Sequence, residues 1–113
     1  MFAITSQNAY TVRHDEATMT GYRIDRQMTA LGTHVHGWRM VLGLTAQQVS
    51  ERAGITRDTL RRIETGHPGV SIGNVAQVLR ALGVLDQVVS AVDPLASDIG
   101  RLRAGSLGKK RAR

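Results

Sequence analysis

The sequence predicts an all-α fold: a five-helix domain over residues 29–92, with a flexible N-terminal arm over 1–28 and a basic C-terminal tail over 93–113. Three observations lead there. Apolar residues in the middle of the chain recur at intervals of three and four, the period of a helix face. The helical runs tend to open on serine or threonine and close on glycine, the residue types that cap helix starts and accept left-handed backbone at helix ends. No stretch alternates apolar and polar residues with the weight a sheet needs.

Residues 1–28 mix Thr, Ser, Gln, Asn and Tyr with scattered charges and no sustained apolar period, so they read as an arm; Tyr10 and Val12 suit a short strand that pairs with a partner. Leu31, Val35, Trp38 and Leu42 then fall on one helical face, and Gly43 follows as a stop. Thr45 opens a second helix with a capping box, its hydroxyl accepting from the amide of Gln48 while the Gln48 side chain reaches back. Ala46, Val49 and Ala53 form a narrow apolar face, and Gly54 permits a tight turn. Thr56 caps a third helix in which Leu60 and Ile63 point inward and Arg57, Asp58, Arg61 and Arg62 stay outside; Gly66 ends it. Ser71 caps a fourth, with Ile72, Val75, Val78, Leu79 and Leu82 as its stripe. After Gly83 a short fifth helix carries Leu85, Val88, Val89 and Val92, an apolar face wide enough to imply core closure or a dimer contact. Pro94 interrupts helix propagation, and the Gly-rich basic stretch beyond it reads as a tail.

Composition narrows the function classes. The net charge is +6, with six basic against two acidic residues in 93–113 and near balance elsewhere. A positive chain attracts polyanions at long range. There is no cysteine, so disulfides and thiolate metal sites are excluded. No apolar run is long enough to span a membrane, and no secretory signal is evident at the start, so the expected location is the cytoplasm. His14, His34, His36 and His67 have no carboxylate at a spacing that completes a metal site and read as surface histidines. Ser, His and Asp occur without a nucleophile elbow, and no glycines form a phosphate-cradling loop after a strand. Neither an enzymatic role nor a cofactor is expected.

The segment LTAQQVSERAGITRDTLRRIETG places two short capped helices around a glycine turn. In such a pair the second helix can enter the major groove while the first crosses the backbone. Small Ala53 and Gly54 suit the close crossing, and Val49, Ile55, Leu60 and Ile63 suit the anchors. Arg57 and Arg62 are the candidates for bidentate contact with guanine O6 and N7. Asp58 either accepts from a cytosine amino group or orients a neighbouring arginine, while Thr56, Thr59 and Arg61 suit phosphates. The competing reading of these arginines is a solvated face on which Arg61 or Arg62 pairs with Glu64 or Asp58.

Residues 31–92 resemble the Xre/Cro-type repressor domains, of the lambda-repressor-like fold. The resemblance rests on Leu44, Thr45, Val49, Ser50, Ala53, Gly54, Ile55, Thr56, Thr59, Leu60, Ile63, Glu64 and Gly66, in order and flanked by helices. It implies a homodimer on a palindromic double-stranded DNA operator, and a structural Glu64 that closes the third helix. Two positions depart from the pattern: Ala46 stands where a phosphate-touching Gln is frequent, with Gln47 one place later, and Ser50 replaces the more usual Ala. Residues 81–113 further resemble the end of HipB-like antitoxins, which implies a HipA-like kinase toxin as partner and autoregulation of a shared operon. The alternatives are a stand-alone homodimeric regulator whose KKRAR cluster adds phosphate affinity, and an interaction module that has lost DNA binding.

Overall fold

The computed structural model describes residues 16–112, with side chains over 23–105. Among these residues the chain is helical: α1 Glu16–Val41, α2 Ala46–Ala53, α3 Arg57–Glu64, α4 Ile72–Ala81, α5 Leu85–Ala91, a 3-10 turn Pro94–Ala96, and α6 Asp98–Ala112. The five helices expected of the central domain are present. The sixth lies in the segment read as a tail. Tyr10 and Val12 lie outside the described residues.

The caps form as their chemistry dictates. The Thr45 hydroxyl accepts from the Gln48 amide at 3.0 Å, and the Gln48 side chain accepts from the Thr45 amide at 2.8 Å. Thr56 and Ser71 accept in the same way from Thr59 and Asn74. Gly43, Gly54, Gly66 and Gly83 all end helices at positive φ, backbone that a Cβ disfavours. A small core results: Val35, Val49, Ala53, Leu60, Ile63, Val78, Leu79, Leu82 and Val84. Helix α2 packs on α3 and α4, and α1 packs across α3.

Helix α1 departs from expectation twice. It is helical from Glu16, the first of the described residues, so thirteen residues read as arm are helical. Apolar period reports burial, not helicity, and a nucleated helix can propagate through polar sequence at one hydrogen bond per residue fixed. Its inward face is also rotated: Val35 is buried, while Leu31, Trp38 and Leu42 are exposed. The reason is Gly32. A Cβ there would stand 2.6 Å from the carbonyl oxygens of Ile63 and Glu64, and one on Gly66 would stand 2.7 Å from the carbonyl oxygen of Met28. The two backbones touch at a pair of glycines, which turns α1 so that Gly32, Val35 and Arg39 face α3. Ile72 is likewise outside, 86% exposed at the first position of α4.

The C-terminal segment differs because its local signals outweigh Pro94. The Asp93 carboxylate accepts from the Leu95 amide, so Pro94 starts a 3-10 turn instead of ending order. The Ser97 hydroxyl accepts from the Gly100 amide at 3.0 Å, the pattern of an N-cap, and Arg101 pairs with Asp98. Gly100 itself is required, since a Cβ there would collide with the Pro94 carbonyl.

Candidate nucleic-acid interface

Helix α3 makes the site by having two faces of opposite kind. Leu60 and Ile63 are buried. At about 100° per residue, Asp58 falls nearly opposite the midpoint between them, with Arg61 on one side, Arg62 on the other and Thr65 a further turn along. Thus the outward face carries three charged side chains within one and a half turns of helix. Arg57, at the first position of α3, stands about 90° round the helix from the midpoint of the buried pair and lines a cleft of about 490 Å³ with Arg39, Ala46, Asp58 and Arg61.

What holds this face outward is a charge cluster beneath the far end of the helix. Glu64 Oε2 accepts from Arg39 Nε at 2.7 Å, and its Oε1 accepts from Arg39 Nη2 at 3.0 Å. The two side chains are only 11% and 14% exposed. His36 Nδ1 lies 3.0 Å from Glu64 Oε1 and 3.3 Å from Arg39 Nη2. Arg39 Nη1 also donates to the Leu44 carbonyl at 3.3 Å, so one guanidinium joins α1, the turn before α2, and α3. Burial works to raise the Glu64 pKa, but the hydrogen bonds from Arg39 and His36 and the charges they carry outweigh it, leaving the carboxyl below the usual range. Bidentate geometry and low exposure make this the stronger class of ion pair. The resemblance implied that Glu64 closes α3; it does so by anchoring α3 to α1. Arg39 and His36 were not among the site residues read from the sequence. The sequence carried no signal for them, because the Gly32 crossing that turns Arg39 toward α3 is set by a distant neighbour.

The other expected residues fall into place as follows. Thr56 caps α3, and its hydroxyl donates to the Thr59 hydroxyl at 3.0 Å, so Thr59 sits on the flank of the helix beside the cap and away from its outward face. Gln47 is exposed in the first turn of α2 and donates to Glu51 at 2.7 Å. Asp58 and Arg61 form an exposed ion pair at 2.7 Å. The hydrogen bond from Arg61, then its charge, lowers the Asp58 pKa, so the carboxylate is ionised at neutral pH. Among the described residues, Arg57 and Arg62 form no ion pair. Two short capped helices, a left-handed glycine between them, and a second helix with a locked inner and a charged outer face constitute a helix-turn-helix.

Residues 30–92 match a family model described as a helix-turn-helix domain. The chain belongs to the helix-turn-helix domain family. No curated protein and no solved structure gives a significant match. As a helix-turn-helix protein it is a DNA-binding protein, and the matched residues contain the whole of α2, α3, α4 and α5 together with the part of α1 that crosses α3. No helix among the described residues is long and apolar enough to cross a membrane.

Proposed function

We propose that this helix-turn-helix protein is a transcriptional repressor that binds a palindromic operator as a homodimer, acting in the cytoplasm by binding alone, with no catalysis and no cofactor. The observation that carries the reading is the outward face of α3: Asp58, Arg61 and Arg62 project together from a helix whose inner face is anchored by Leu60, Ile63 and the Arg39–Glu64 pair. Arg57 and Arg62 contact guanine edges, Gln47 and the threonines at the start of α3 meet phosphates and set register, and the exposed Asp58 carboxylate faces base edges. The dimer contact is α5, where Val88, Val89 and Val92 are exposed on a helix too short to leave them to solvent without a partner. Footprinting the DNA upstream of the gene tests this. Two protected half-sites related by a two-fold axis, about one helical turn apart or a multiple of it, support the reading. Val89→Asp should give a monomer in sedimentation and lose the paired protection. A single asymmetric footprint, or none, would contradict it.

The antitoxin reading adds a HipA-like kinase toxin as partner. It is favoured over a stand-alone regulator by α6, an ordered helix in the segment read as a tail that leaves Ile99 and Leu102 exposed, apolar surface that a plain phosphate-binding tail would not need. Purification of the chain from its own cell, with and without residues 93–113, decides between them. A stoichiometric kinase-like protein lost on truncation supports the antitoxin, whereas recovery of only the chain and DNA supports the stand-alone regulator.

A further inference from the structure

Resting on the DNA-binding reading of α3 above, we infer that Asp58 and Arg61 act as one unit that selects a C·G base pair, which moves Arg61 from the phosphate backbone to the bases. Their geometry favours it. The pair presents a carboxylate oxygen beside a guanidinium nitrogen at 2.7 Å, both about two-thirds exposed, with Asp58 at the centre of the outward face of α3 and Arg61 on one side of it. A C·G pair presents the reverse on its major-groove edge: the cytosine N4 donor beside the guanine O6 acceptor, about 3 Å apart because those two atoms are hydrogen-bonded to each other. Asp58 Oδ2 accepts from N4–H while a second N–H of Arg61 donates to O6, with N7 next along within reach of the same planar fork.

Competing base pairs fail for specific reasons. In A·T the adenine N6 donor has the N7 acceptor beside it, which repels an ionised carboxylate, and the fork meets the thymine methyl where guanine offers a second acceptor. Against a phosphate, Asp58 is repulsive. An acceptor-only group at the centre of a DNA-facing surface weakens non-specific binding, and that penalty is offset only where a base donor is correctly placed. Ion pairs this exposed add little to folding. The depressed pKa of Asp58, caused first by the hydrogen bond from Arg61, keeps the carboxylate an acceptor throughout the neutral range.

The test is selection of bound duplexes from a randomised library by the full chain and by Asp58→Asn, Arg61→Ala and Arg61→Lys, with thermal unfolding of each. The wild type should fix C·G at one position per half-site. All three variants should weaken that preference by about tenfold or more, keep the other positions, and melt with the wild type. Arg61→Lys is the sharpest arm. It retains the charge, so a phosphate-only role would leave the base preference intact, and that result would overturn the inference. Equal loss on all sequences in Arg61→Ala would overturn it as well. A wild type that enriches no sequence would bring down the DNA-binding reading with it, whereas enrichment without C·G at this position would remove the inference alone.

Discussion

Helix α3 holds two arginine–carboxylate pairs of the same length, 2.7 Å, and opposite consequence. At its far end Glu64 meets Arg39 across 25 residues of sequence, with both side chains nearly enclosed. At its start Asp58 meets Arg61 one turn away, in solvent. The enclosed pair fixes where α3 lies; the exposed pair stays accessible, so that DNA can meet both partners together. Length alone therefore says little about what an ion pair does. Enclosure and sequence separation say more, because a charge withdrawn from water must be matched while one in water need not be.

The largest effect should come from breaking the enclosed pair. Glu64→Ala leaves the Arg39 guanidinium without its carboxylate, and urea unfolding should show a loss of about 3 kcal/mol. Next comes the crossing that the pair secures. Gly32→Ala drives a Cβ into two carbonyl oxygens and should cost about 1–3 kcal/mol, whereas Gly37→Ala, five residues on with nothing within 4 Å, should stabilise by about 0.5–1 kcal/mol. Equal effects at the two glycines would mean that α1 and α3 do not touch as described. Acid should then distinguish the pairs. The folded pKa of Glu64 lies below its unfolded value, so its contribution is complete above the ordinary glutamate range and is lost as pH falls through the folded pKa. Stability below about pH 4.3 should decline less steeply in Glu64→Gln than in the wild type. The smallest effect belongs to the exposed pair: Asp58→Asn should leave the melting temperature unchanged at neutral pH, and a clear drop would make that pair structural.

Much of the fold was legible because local chemistry decided it. The capping box of α2, the N-caps of α3 and α4 and the glycine stops depend on residues three or four apart, and the inward positions of Val49, Leu60, Ile63 and Val78 follow from period alone. The family resemblance was legible on the same residues. Less legible was anything set by a distant neighbour. Gly32 reads in sequence as a weak point in a helix, yet it is the contact that rotates Leu31 and Trp38 outward. The polar start of α1 has no period to betray it, and the Asp93, Ser97 and Gly100 signals that order α6 are single hydrogen bonds and one close approach inside a segment whose composition suggests none. Of the site, the outward charges of α3 could be named in advance, but the Arg39–His36–Glu64 cluster that positions them joins residues 25 and 28 apart, a pairing visible only once α1 crosses α3.

The most direct test of DNA reading by α3 is a titration of the full chain, wild type and Arg62→Ala, against its selected duplex and a scrambled duplex of equal composition, at several salt concentrations. The account predicts binding about a thousandfold or more tighter to the selected duplex, affinity for both falling linearly in log salt, and a loss in Arg62→Ala confined largely to the selected one. Equal affinity of the wild type for the two duplexes, or an Arg62→Ala loss that is the same on both, would contradict it.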